Sequence, residues 1–278
     1  MRTAPERLTV VLLAVMAVQA SSGLIFAGQY RDPEWVRATW FGNDWITLVL
    51  AMPLLASSLV AARRGSARGL MVCLGTQAYA VYNYAFYLFG AALNVFFLFY
   101  VAACVSAAAA LLVTALRPDV PGIAERFSAA APRRMAGGGL LAIAIGLAAV
   151  WIAMWGAHVF AGRPTPVPAE AFKVVAALDL TLLVPAQLAG AILLLRGHRF
   201  GSLLCTVAGV QGTLYLIVLS VNSWVAVSRG LTAAPGELPI WGALAVVTGG
   251  LTAALLHAAR CEESRGVRED FRGASRLA

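Results

Sequence analysis

The sequence predicts an all-α, polytopic integral membrane protein with about eight transmembrane helices, and three observations lead there. Apolar residues make up 60% of the 278 residues. Charged residues make up only 12%, about half the share of an average soluble domain. The apolar residues are also gathered into stretches close to the roughly 20 residues that cross about 30 Å of hydrocarbon in a helix. So few charges could not cover a water-facing surface of this size. The composition therefore argues against a soluble enzyme, a nucleic-acid binder and a disordered chain.

The stretches run approximately Leu8–Ala27, Trp45–Ala62, Gly69–Phe89, Leu93–Leu116, Gly137–Phe160, Val174–Leu195, Ser202–Val227 and Ile240–Ala259. Between Gly69 and Leu116 there is no Asp, Glu, Lys or Arg. One helix of that length would reach about 70 Å, so two spans are expected, turning near Gly90–Asn94. The first stretch has a competing reading. Met1–Arg7, Leu8–Val18 and Val18-Gln19-Ala20 follow the order of a secretory signal. Apolar character persists through Leu24-Ile25-Phe26-Ala27, which favours a retained span.

Orientation follows from the positive charges. With a cytoplasmic N-terminus, residues 1–7, 63–68, 117–136, 196–201 and 260–278 lie inside and carry 16 arginines. The outer segments carry five positive residues: Arg31, Arg37, Arg163, Lys173 and Arg229. This asymmetry predicts that both termini are cytoplasmic and the span count is even. The net charge of +8 is then an orientation signal facing anionic lipid, so the expected partner is the bilayer and no nucleic acid. The excess of arginine over lysine and the abundant alanine suggest a bacterial source, hence a cell (inner or plasma) membrane.

No connecting segment can hold a soluble domain. Residues 1–278 read as one membrane domain with a short charged tail at 260–278. The segment Arg117–Ala136 has room for a short interfacial helix near Ala124–Ala130. Gly28–Asp44, with Trp35, Trp40 and Phe41, suits the headgroup level, as do Trp155, Trp224 and Trp241.

The two halves, 8–116 and 137–259, carry similar landmarks in one order. Phe26-Ala27-Gly28 answers Phe160-Ala161-Gly162, and Pro53 answers Pro185. Gly69 and Cys73 follow Pro53 at spacings of 16 and 20, as Gly201 and Cys205 follow Pro185. Gln77 and Gln211 end similar triplets. A parallel four-plus-four duplication is the expectation, as in other polytopic folds built from repeats. Each proline frees a carbonyl four residues earlier, at Val49 and Thr181, which predicts a kink.

Polar groups inside spans point to the site, because hydrocarbon makes them costly. Asp179 is the one acid read as lying well inside a span, about 8 Å below the outer start of its helix. Thr76, Tyr79, Asn83 and Tyr87 share one face of the third span; Gln211, Tyr215 and Asn222 share one face of the seventh. Asn83 and Asn222 approach the depth of Asp179, and His158 and Asp44 are expected near the outer rim. The candidate ligand-binding residues are Asp179, Asn83, Tyr79, Gln211, Asn222 and His158.

Three readings fit them. The first is binding or transport of a small solute or lipid headgroup through an outer-half polar cavity. The second is a membrane-embedded enzyme acting on a lipid, with Asp179 and His158 as acid and base. The third is an accessory or assembly subunit whose polar stripes hold helices together. No cofactor and no metal are expected. The four cysteines are scattered, the lone lysine lies at a span boundary, the histidines are at different depths, and no nucleotide-binding or hydrolase motif occurs in a suitable context.

Overall fold

The computed structural model describes residues 3–128, 131–165, 167–231 and 237–277, with helical backbone alone for 128 and 260–277. Among them there are helices and no strands. In chain order they are α1 (Ala4–Ile25), α2 (Glu34–Arg63), α3 (Ala67–Gly90), α4 (Phe97–Ala115), the short α5 (Val120–Ser128), α6 (Arg133–Ala161), α7 (Ala169–Leu195), α8 (Gly201–Ser228) and α9 (Leu238–Leu277). Seven are long and apolar enough to cross a bilayer: α1, α2, α4, α6, α7, α8 and the Leu238–Ala259 part of α9. The 24-residue α3 is equally long and carries more polar side chains. It joins α2 to α4 inside the bundle, and 16 of its residues are buried, which removes its polar groups from lipid. The chain is therefore an all-α polytopic membrane protein.

α3 and α8 form the centre. They cross where Gly75 meets α8: a Cβ there would lie 2.5 Å from Val210 Cβ and 3.0 Å from the Val207 carbonyl. Only a glycine permits that approach, which is how membrane helices gain close packing without a hydrophobic drive between them. Around this pair, α3 packs on α2, α4 and the start of α7, while α8 packs on α7, α9 and the start of α2. α1 closes against α4, where Ala103, Ala107 and Ala110 of α4 are buried. α6 lies outermost. Only Leu140 and Ala144 are buried along Gly138–Ala161, and Ile145, Val150, Ile152, Trp155 and Phe160 are exposed, as a lipid-facing helix requires.

Two differences from the sequence reading matter for the site. Glu34–Ile46, expected in a connecting segment, is helix and runs unbroken into the second span. Trp40 is consequently fully buried, stacked on Tyr87 with its indole N–H donating to Asp32 Oδ2 at 3.0 Å. The two prolines also do more than kink their helices. Each follows a π-helical turn, Thr47–Ala51 before Pro53 and Asp179–Leu183 before Pro185. The amide of Met52 bonds the Thr47 carbonyl, and that of Val184 bonds the Asp179 carbonyl, five residues back. A π turn of this kind absorbs the disruption a proline brings and is common where a helix presents functional side chains.

The hairpins that follow are built alike. Gly65 and Gly197 adopt positive φ, 83° and 68°, at the ends of α2 and α7, the conformation a helix C-terminus most readily gives to glycine. Ser66 N–H bonds the Ala61 carbonyl and His198 N–H the Leu193 carbonyl. Gly69 then presses on Ala61 and Ala62, and Gly201 on Leu193 and Leu194.

Candidate functional site

Two acids, three asparagines and their donors meet in one layer in the half of the bundle away from the N-terminus. On one flank, Asp44 of α2 is fully buried and accepts three hydrogen bonds. The Tyr30 hydroxyl donates to Oδ2 at 2.7 Å, the Tyr87 hydroxyl to Oδ1 at 2.7 Å, and the Gln19 amide to Oδ1 at 3.1 Å. Gly23 makes room for the carboxylate, since a Cβ there would stand 2.1 Å from Oδ2. Burial, and then the neighbouring Asp44 carboxylate, push the Tyr30 hydroxyl far above its ordinary range, so it stays a donor.

On the other flank, Asp179 is equally buried. It accepts from the Tyr82 hydroxyl at 2.6 Å, the Trp151 indole N–H at 2.8 Å and the Tyr215 hydroxyl at 3.1 Å. These donors come from α3, α6 and α8, so one carboxylate ties three helices to α7. The Tyr82 and Tyr215 rings meet edge-on, with centroids 4.9 Å apart.

Between the flanks runs a chain of asparagines. Asn222 of α8 donates to Asn43 Oδ1 at 2.9 Å, and Asn43 donates to Asn83 Oδ1 of α3 at 3.3 Å. Adjacent residues thus serve different parts of the layer. Asn43 and Asp44 on α2, and Tyr82 and Asn83 on α3, link the asparagines to the two acids. Asn83 Nδ2, Asn222 Oδ1, Gln19 Oε1 and the Tyr84 hydroxyl are buried with no hydrogen-bond partner among the described residues. Buried polar atoms of this kind normally hold a water or a ligand.

Each acid is surrounded by neutral donors, and neither has a cation among its hydrogen-bond partners. Such a shell can solvate a carboxylate in a low-dielectric interior, and it suits a site that takes up a proton or a cationic group.

Of the residues singled out from the sequence, Asp179, Asn83 and Asn222 lie in this layer. Tyr79 is fully buried on the same face of α3. Gln211 faces elsewhere, as the only polar side chain among the described residues lining an apolar hollow of about 500 Å³ beside α3, α4, α7 and α8. His158 does not join them. It is exposed, its Nδ1 lies 2.8 Å from the Arg163 carbonyl, and it stands seven residues, about 10 Å, beyond Trp151 along α6. Gln77 works in the opposite half, where it donates to the hydroxyls of Thr9 and Thr114 at 2.9 and 3.3 Å.

Sequence reasoning placed Asp44 near the rim, read Tyr82 only as one of a run of aromatic rings, and passed over Asn43, Tyr30 and Trp151. The signal for Asp44 was the proline-free run from Glu34 to Met52, which lets the second helix begin a full three turns earlier. Trp151 carried none, since one tryptophan on a lipid-facing helix looks like any other. Compared with protein-family models, curated proteins and solved structures, the chain matches none of them.

Proposed function

We propose that this membrane protein binds, and carries across the bilayer, a small solute or lipid headgroup in the polar layer between Asp44 and Asp179. Asp179 is the charge partner or proton site. Asn83 and Asn222 orient the ligand through their unpaired amide atoms, with Tyr79 behind them. Gln211 serves the adjoining apolar hollow. One observation carries the reading: two fully buried carboxylates, each held by three neutral donors, flank an amide chain with unfilled hydrogen-bond capacity. In this arrangement the donors close over the acids, which corresponds to an occluded form. The enzyme reading loses its acid–base pair with His158 outside the layer.

The reading includes an even number of spans with both termini on the cytoplasmic side of a bacterial cell membrane, supported by the 16-to-5 distribution of positive residues. It also includes a parallel four-plus-four duplication. Support comes from a constant register of 132 residues linking Thr47–Ala51 to Asp179–Leu183, Pro53 to Pro185, Gly65 to Gly197, Gly69 to Gly201 and Cys73 to Cys205. That register sets Gln77 against Gly209 and Phe26 against His158, so the Gln77–Gln211 and Phe26–Phe160 landmarks, each 134 residues apart, fall two residues out of it and count against the duplication. Rocking of one half on the other about the α3–α8 crossing is the motion the duplication permits.

Cysteine accessibility tests the proposal. With native cysteines replaced by serine, Asn83→Cys and Asn222→Cys in membranes should react with a small cationic thiosulfonate. Ile152→Cys, facing lipid, should not. Silence at both positions would leave the layer as interhelical glue, the property of an accessory subunit.

A further inference from the structure

At the end of the bundle away from the N-terminus, the close of α1, the start of α2 and the end of α8 leave a cleft of about 190 Å³. Its walls carry Arg37, Arg229 and Glu34, and the buried Tyr30 is its floor. The Arg229 guanidinium lies 4.6 Å from the centroid of the Phe41 ring, which steadies it by a cation–π contact. No ion pair involves Arg37, Arg229 or Glu34 among the described residues. The sequence makes these arginines conspicuous. They are two of only five positive residues assigned to that end, where positive charge works against the orientation signal.

Two unpaired arginines and one unpaired carboxylate around a small opening match a zwitterion, with an oxyanion for the guanidiniums and an ammonium for Glu34. The volume is below that of a pocket for a drug-sized molecule, so it fits a head group. We propose that the cleft is a binding site for a phosphoethanolamine-like head, with the phosphate between Arg37 and Arg229 and the amine at Glu34. The same chemistry is offered by a membrane lipid and by a free solute. The cleft shares Tyr30 with the Asp44 flank of the polar layer, but its charged groups Arg37, Arg229 and Glu34 stand outside that layer.

The test uses the full-length protein in phosphatidylcholine nanodiscs, titrated calorimetrically with phosphoethanolamine and with inorganic phosphate. A second arm measures phosphatidylethanolamine retained by the purified protein, by mass spectrometry. We expect saturable binding in one arm at least, weakened tenfold or more by Arg37→Gln and by Arg229→Gln. Arg163→Gln, at the same end outside the cleft, should leave it unchanged. Glu34→Gln should erase the preference for phosphoethanolamine over phosphate. Retention of the lipid without binding of the free head assigns a lipid source, and the reverse assigns a solute. The proposal is overturned if neither arm shows binding, or if Arg163→Gln weakens it as much as Arg229→Gln. It is overturned equally if folded variants, checked by an unchanged thermal midpoint, bind like the parent.

Discussion

Replacing Asp179 separates the worth of its charge from the worth of its hydrogen bonds. Asparagine has nearly the same shape. Its amide oxygen at the Oδ2 position keeps the Trp151 and Tyr215 donors, and its NH2 at the Oδ1 position donates to the Tyr82 hydroxyl, which rotates to accept. All contacts survive, and the cost of a buried charge is relieved. Asp179→Asn should therefore shift stability by no more than about 1 kcal/mol. Asp179→Leu keeps the volume and orphans two buried donors, Tyr82 and Tyr215, and the half-buried Trp151, each buried one worth about 1–3 kcal/mol when left unsatisfied, so a loss of about 3 kcal/mol or more is expected. Thermal and denaturant unfolding in matched nanodiscs, followed by tryptophan fluorescence, measures both. Equal losses for the two variants would refute the reasoning, because they would mean that the negative charge, not the donor set, holds α3, α6 and α8 to α7.

Three other outcomes follow from the same geometry. Gly23→Ala places a methyl 2.1 Å from Asp44 Oδ2 and 2.4 Å from the Tyr30 hydroxyl; unfolding should show a loss of about 1–3 kcal/mol. Trp151→Phe preserves an aromatic ring against Phe172, whose centroid is 5.1 Å away, while deleting one bond to a carboxylate. Its cost should be about 2 kcal/mol, and should vanish in the Asp179→Leu background when a double-mutant cycle is measured. In a cysteine-free background, an impermeant maleimide added to intact cells should label Gly28→Cys and spare Arg64→Cys, and the converse would invert the assigned orientation.

How far the fold could be read from the residues depended on which physical force was acting. Hydrocarbon imposes a length and a polarity on each span, so every predicted span corresponds to a helix, and α3 could be separated from α4 because no single helix reaches 70 Å. The arginines of 63–68 and 196–201 marked two connections through their charge. The faces Thr76–Tyr87 and Gln211–Asn222 were legible by helical spacing, and their side chains are buried. What could not be read was pairing across helices. Nothing in the chain order says that Trp151 reaches Asp179, or that Asn43 bridges Asn83 and Asn222, because those contacts depend on how the bundle closes. The start of α2 was missed for a different reason. Its polar and aromatic residues resemble an interfacial loop, and only burial against Tyr87 and Phe86 reveals Trp40 as core.

The extra residue in each widened turn sets the phase between the two parts of its helix. The wide turn spreads that residue over about the same rotation as a regular turn, so the parts of α7 above and below it stay nearly in phase. Asp179 therefore faces Tyr82, Trp151 and Tyr215 in register with the helix below it. The proline next along, having no amide hydrogen to donate, stops the irregularity from drifting downward. Each bent helix therefore behaves as two segments held in phase across one spare residue, and a one-residue deletion in the regular helix below Pro185, which has no such slack, would turn the acid by about 100° relative to the residues beneath it.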